Sequence, residues 1–437
     1  NLANYFNSTN ALTVSLGAGA GVGAGTATDG SGGTDTLVNI NMVLGGSAND
    51  SITGSTALLL EQLEGGAGND VLNGGLISDT LNLENSNRVN YQNVTGNGVT
   101  VDLAAKTGIG MAGSNAGSDT LTNFNQVRGS TFGDAISGSD STLTERFEGL
   151  AGNDTIDGRG GIDFAAYDRA TGAVTVNLAT GTASDGYGTT DTLLNIEGVR
   201  GSAFADSLTG GNTANGTDAT DDSLLEIFVG GAGNDTINGG QGFDRTDYSS
   251  STDGVNASLT SGTASDGLGG VDTLTSIEGL RGSGFNDTLI GSGAAFESFE
   301  GREGSDIIDG LGGIDRANYW SSKAAVTVDL TTGAAADGYG SVDALANIEN
   351  VRGSRNFNDS ISGNAADNVL EGLGGNDTIK GWDGNDIIVG DNGNDVIDGG
   401  NGTDMLMGGN GNDSLVGGSG DDLLAGAAGT GEGYLVD

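Results

Sequence analysis

The chain has no cysteine, no histidine and no proline among its 437 residues. Without cysteine and histidine there is no disulfide, no thiolate nucleophile, no Ser-His-Asp triad and no H-E-x-x-H zinc site. No G-x-S-x-G elbow and no G-x-x-x-x-G-K-[ST] loop occurs either. Basic residues are scarce: 15 Lys and Arg stand against 59 Asp and Glu, for a net charge of −44. That excess excludes nucleic acid as a partner. No stretch is apolar enough to span a membrane, and the first residues do not read as a signal peptide. Aromatic residues make up 5%. Few aromatics and high charge describe a chain that stays disordered until something neutralises it.

What is there is glycine, 85 residues of it, in register with aspartate. Between 372 and 425 the pattern G-x-x-G-x-D-x-U-x repeats six times without a break, U being a large aliphatic. Its aspartates are Asp377, Asp386, Asp395, Asp404, Asp413 and Asp422; its aliphatics are Ile379, Ile388, Ile397, Leu406, Leu415 and Leu424. The glycines permit a tight turn with positive φ, and x-U-x is a short strand with U pointing inward. Two nonapeptides make one coil, so residues 18 apart stack at about 4.8 Å. Each edge of the stack becomes a column of carboxylates, which repel by roughly 1 kcal/mol per neighbour in water and several-fold more in a protein-like dielectric. Lys380 is the only basic residue between 356 and 437. A cation must therefore sit between coils, and hard oxygen donors select calcium over zinc or copper.

These repeats resemble the glycine- and aspartate-rich nonapeptides of the RTX family, type I-secreted calcium-binding proteins of Gram-negative bacteria. The resemblance implies an all-β fold, a right-handed parallel β-helix or calcium β-roll solenoid. It implies Ca2+ bound between coils through the Asp side chain and backbone carbonyls, and a secreted, extracellular location at the cell surface. At about 18 residues per coil the chain provides on the order of 24 coils, a rod of roughly 110 Å.

Upstream, a longer unit recurs. "YDRATGAVTVNLATGTASDGYGTTDTLLNIEGVRGS" from Tyr167 returns with changes at Tyr248 and Tyr319, and more loosely at Tyr5 and Tyr91. The expected organisation is five long blocks over 1–362, a regular roll over 363–426 and a tail or cap over 427–437. Hexads inside the blocks supply Asp70, Asp154, Asp235 and Asp306, and a following hexad supplies Asp163, Asp244 and Asp315. D-G-x-G-x-x-D is a hexad with one extra residue. It places Asp185 with Asp191, Asp266 with Asp272, Asp337 with Asp343, and Asp29 with Asp35. These loops either bind calcium or are ordinary turns capped by Asp. In "GSTFGD", "GSAFAD" and "GSGFND", Phe132, Phe204 and Phe285 replace the second glycine. Phe resists positive φ, so these loops are expected to hold no ion in the usual way, with Phe packed under a neighbouring loop. Arg128, Arg200, Arg281 and Arg352 recur after a strand, and Glu197, Glu278 and Glu349 precede three of them by three positions. Weak surface ion pairs are expected there.

Two function classes fit. The first is a calcium-stiffened structural protein: a surface-layer, filament or adhesin subunit that self-assembles and contacts cell-surface polysaccharide. The alternative is a non-catalytic secretion and folding module of a larger RTX exoenzyme or toxin. An enzyme is not expected, because the acids fall in the hexads and RTX enzymes keep catalysis in separate domains. "NLANYF" at the start aligns with "DRANYW" at 315–320, as if the chain opened inside a repeat. A fragment, a processed product or an end covered by a neighbouring subunit is expected from that.

Overall fold

A computed structural model describes residues 1–17, 25–56, 59–77, 86–211, 225–426 and 434–436. The described residues form two compact units, one within 1–211 and 225–228, the other within 229–436. Both are all-strand, and no helix occurs among the described residues. The fold is a parallel β-solenoid built from strands of three to six residues.

In the second unit the nonapeptides alternate between two parallel sheets. Strands Thr378–Asp383, Val396–Asn401 and Ser414–Ser419 stack with Thr378 beside Val396 and Val396 beside Ser414. The intervening nonapeptides give Val369–Glu371, Ile387–Val389, Met405–Met407 and Leu423–Ala425, again in an 18-residue register. The aliphatic of each triplet points between the sheets. Leu370, Ile379, Ile388, Ile397, Leu406 and Leu415 are all fully buried, so one aliphatic per strand builds the core. Alternation in a three-residue strand sends its two neighbours outward. The expected tail or cap over 427–437 falls mostly outside the described residues; Tyr434–Val436 pairs in parallel with Ser414–Ser419.

The long blocks differ from a uniform parallel stack in one respect. In the first unit, Thr175–Asn177, Thr182–Ser184 and Thr190–Leu194 run as an antiparallel meander, while the outer two strands still pair in parallel with the coils around them. The second unit repeats this with Asn256–Ser258, Thr263–Ser265 and Val271–Thr275. The tight turns come from "ATGT" and "TSGT", whose Gly181 and Gly262 have φ of 66° and 65°. The middle strand carries Ala183 or Ala264 inward, both buried, because an extra strand leaves no room for a larger side chain.

Candidate metal centre

The turn between strands is where the carboxylates gather. The second glycines of the hexads hold positive φ, 133° at Gly375 and 124° at Gly384, which turns the chain back toward the sheet. The aspartate that ends the hexad is buried at Asp377, Asp386, Asp395, Asp404 and Asp413. Its Oδ1 accepts the backbone N–H of the acid one coil earlier: Asp377 N to Asp395 at 2.8 Å, Asp395 N to Asp413 at 3.0 Å, Asp386 N to Asp404 at 2.9 Å, and Asp404 N to Asp422 at 3.0 Å. The asparagine before it forms a second ladder, with Asn394 N to Asn376 Oδ1 at 2.7 Å and Asn412 N to Asn394 Oδ1 at 2.9 Å.

The other oxygen has no such partner. Oδ2 of Asp377, Asp386, Asp395, Asp404, Asp413 and Asp422 is buried and receives no hydrogen bond; Asp70, Asp154, Asp163 and Asp306 repeat this in the blocks, and at Asp315 both oxygens are bare. An ionised buried oxygen without a donor is costly. Its direction is informative. A Cβ on Gly390 would strike Asp395 Oδ2 and stand 2.7 Å from the Gly408 carbonyl oxygen one coil on. On Gly399 it would strike Asp404 Oδ2 and lie 2.6 Å from the Gly417 carbonyl. Carboxylate and carbonyl oxygens thus converge over a glycine that has nothing to put between them. Among the described residues no three acidic side chains gather at one point. The donor set is one carboxylate per coil with main-chain carbonyls, all hard oxygens, and it fits calcium. Asp377, Asp386, Asp395, Asp404, Asp413 and Asp422 would hold the ions, which supply the counter-charge the chain lacks.

Electrostatics agree. Burial, then the neighbouring carboxylates, pushes Asp377 up to about 7; burial, with Asp404 beside it, pushes Asp386 up to about 6; Asp395, near Asp413, rises to about 6. In the blocks Asp154 reaches about 8, and Asp163 about 9 through burial and the flanking Glu145 and Glu197. Asp70 and Asp315 reach about 7 and Asp306 about 8, again chiefly through burial. Asp235 and Asp244 hold the equivalent buried positions.

The model of the RTX calcium-binding nonapeptide repeat (4 copies) matches residues 61–84, 144–165, 226–246, 298–317, 362–397 and 398–431. The chain carries RTX calcium-binding repeats. A search of curated proteins returned no match. The matched segments contain the hexad aspartates from Asp70 to Asp422 and make this a calcium-binding chain of a class that is typically secreted. No helix among its described residues is long and apolar enough to cross a membrane.

The seven-residue loops split their two acids. Asp191, Asp272 and Asp343 stand in the hexad column, accepting the N–H of Asp154, Asp235 and Asp306 at 3.1, 3.0 and 3.1 Å. Their Oδ2 accepts a buried tyrosine hydroxyl, Tyr167, Tyr248 or Tyr319, each at 3.1 Å. Burial followed by these carboxylates raises each phenol well above 10, so it stays a donor. This tyrosine role was missed, although the recurring Tyr was in view: 24 residues separate each pair. Asp185, Asp266 and Asp337 instead cap their own loops with Oδ1.

The Phe-bearing loops close by a different route, through serine. Asp206 Oδ2 accepts the N–H of Ser202 at 2.5 Å and its Oδ1 accepts the Ser202 hydroxyl at 2.8 Å and Val174 N–H at 2.7 Å. Ser130 with Asp134, Ser283 with Asp287 and Ser354 with Asp359 do the same. The expected packing of Phe beneath a loop is overturned at Phe204 and Phe285, which are 44% and 46% exposed because the serine contacts already close the turn, whereas Phe132 is half-buried.

The expected surface ion pairs are corrected at Arg128 and Arg281, while Arg200, half-buried, lies 3.9 Å from Asp168. Arg128 meets Glu148 at 2.7 Å with both side chains buried, and Arg281 lies 3.2 Å from Asp247 and 3.1 Å from Glu300. Glu197, Glu278 and Glu349 use Oε2 to accept the N–H of Asp163, Asp244 and Asp315 at 3.0, 3.1 and 3.0 Å. They occupy the next position of the carboxylate column. Their constant place before "V-R" or "L-R" was the available signal.

Two predictions arise here. A carboxyl whose folded pKa is raised from 3.8 to about 6 or 7 stabilises the folded chain below pH 4 and loses that contribution as pH rises through 6 to 7. In excess chelator, circular dichroism should therefore show more β-structure at pH 5 than at pH 8. Saturating calcium should reverse the order, since ions require ionised ligands. An unchanged β spectrum in chelator at pH 8 would refute calcium-dependent folding. Second, Asp395→Ala should lose bound calcium and lower the melting temperature in calcium. Asp206→Ala should keep the full calcium count while losing roughly 1–3 kcal/mol with or without the metal, from unpaired N–H groups. Calcium counting on both variants decides; equal ion losses would sink the distinction between open and serine-closed loops.

Proposed function

We propose that the chain is a subunit or segment of an extracellular surface layer, filament or adhesin, folded and stiffened by calcium between its coils, and that it is not an enzyme. The observation that supports this most directly is that the described strands of both units are solenoid layers, and the recurring acids of their turns and strand ends are committed to backbone, serine, tyrosine, arginine or the calcium donor set. A long stack of this kind is a stiff spacer, because each coil contacts only its neighbours and propagates their order.

Self-assembly is part of the reading. Each unit exposes aromatic rings on its serine-closed loops, Phe204 in the first and Phe285 and Phe357 in the second, and aliphatics on outward strand positions, such as Val71 and Leu194 in the first and Val271, Ile307, Val342 and Val396 in the second. Exposed apolar groups of this kind suit lateral packing of copies into a sheet or filament, with polysaccharide of the cell surface as the further partner. At neutral pH the charge of −44 opposes such packing, so calcium is required to lower it. Light scattering and negative-stain microscopy at millimolar calcium should show growing assemblies that chelator reverses, and replacing Phe204, Phe285 and Phe357 by Ser should weaken them. Monodisperse monomers at high protein and calcium would overturn the assembly reading and favour a secretion and folding module.

A further inference from the structure

We propose that the seven-residue loops 266–272 and 337–343 each hold an additional calcium ion against the preceding hexad, and that the loop 185–191 holds none. This rests on the calcium reading of the hexads. Asp266 is fully buried, and its Oδ1 accepts the N–H groups of Leu268 and Gly270, both at 2.8 Å. Asp337, equally buried, accepts Tyr339, Gly340 and Ser341 N–H at 2.8, 2.9 and 2.9 Å. One oxygen completes such a cap, and the other is ordinarily left to water. Here Oδ2 of Asp266 and of Asp337 is buried and receives no hydrogen bond.

The direction of Asp266 Oδ2 shows what it needs. A Cβ on Gly270 would collide with the carbonyl oxygen of Gly233 and stand 2.7 Å from Asp266 Oδ2. Gly233 is the second glycine of the hexad 230–235. An anionic oxygen and a carbonyl oxygen therefore face one space with no donor between them, as over Gly390 and Gly399. Two acceptors in that arrangement are stabilised by a cation, and oxygen donors of this kind take calcium. The third loop is a built-in contrast. The Thr189 hydroxyl bonds Asp185 Oδ2 and accepts Gly152 N–H at 3.0 Å, and Gly152 is the counterpart of Gly233. A side chain spans the gap there, as serine does in the Phe-bearing loops.

The test is calcium counting by elemental analysis of protein saturated with calcium and passed over a desalting column. Asp266→Asn with Asp337→Asn keeps the Oδ1 cap and puts an amide N–H2 where the free oxygen stood. The double variant should bind two ions fewer than the unaltered chain. An equal count overturns the proposal and makes both residues turn caps alone. Thr189→Gly should bind one ion more, a gain that does not depend on the double variant folding; an unchanged count overturns the assignment of threonine as the stopper. If Asp395→Ala loses calcium and Asp266→Asn with Asp337→Asn does not, only this inference fails. If the unaltered chain takes up no calcium, the hexad reading fails and this one with it.

Discussion

The structure depends on one oxygen, the Oδ2 of the hexad aspartate. Stacking at an 18-residue register fixes Oδ1 on the backbone N–H one coil away. Once that bond is made, Oδ2 is held over the first glycine of its own hexad and toward the carbonyl of the next coil. Lys380 is the one basic side chain along the roll. Unit charges a few ångströms apart repel by about 4 kcal/mol at an effective dielectric near 20. Repeated at every turn, a cost of that size exceeds the whole stability of an ordinary domain. The hydrogen-bond ladder that gives the coil its register is therefore also what creates the demand for a cation.

Each coil can answer that demand in three ways. An open hexad leaves the oxygen for calcium. A hexad beginning Gly-Ser turns the serine N–H and hydroxyl onto the same carboxylate, as Ser202 does for Asp206. A seven-residue loop brings a tyrosine hydroxyl from 24 residues away onto Asp191, Asp272 or Asp343. Acids of all three kinds still use Oδ1 to accept a backbone N–H from an earlier coil, that of Asp377 at Asp395, of Val174 at Asp206 and of Asp154 at Asp191. The same logic explains Glu145 and Glu297. Their turns are longer, and the longer acid still reaches back to Ser139 and Ser292.

The nonapeptide register, the inward aliphatics and the acid columns were legible in the sequence because every contact that defines them lies within nine or eighteen residues. Ile379 to Leu415 are buried as the pattern requires, whereas Leu424 in the last coil is only half covered. The antiparallel meander was not legible. Its strands look like any other short extended triplet, and only the Thr-Gly turn distinguishes them. Buried arginines were misread for a related reason. Arg281 meets Glu300 from the adjacent coil rather than Glu278 three residues away. In a solenoid the neighbour in space is a coil away, and block lengths vary, so local spacing on a strand points to the wrong partner.

Loop type should also decide how strongly each part of the chain is tied to calcium. Along 372–422 every hexad is of the open kind, and Asp377, Asp386, Asp395, Asp404, Asp413 and Asp422 all have a bare Oδ2. No serine or tyrosine stands in for a missing ion there. In the long blocks open hexads such as Asp154 and Asp306 alternate with closed ones such as Asp134 and Asp287. A closed loop keeps its hydrogen bonds when metal is withdrawn, so it holds the coils on either side in register. Buried ion pairs such as Arg281 with Glu300 add a further calcium-independent tie, since removing one partner of such a pair costs about 3–5 kcal/mol. Metal withdrawal thus leaves every Oδ2 of the roll without a counter-charge, whereas the blocks keep part of theirs satisfied by side chains. The divergence of the long repeat from the strict nonapeptide then has a physical meaning: each departure replaces an ion with a side chain that the chain itself provides.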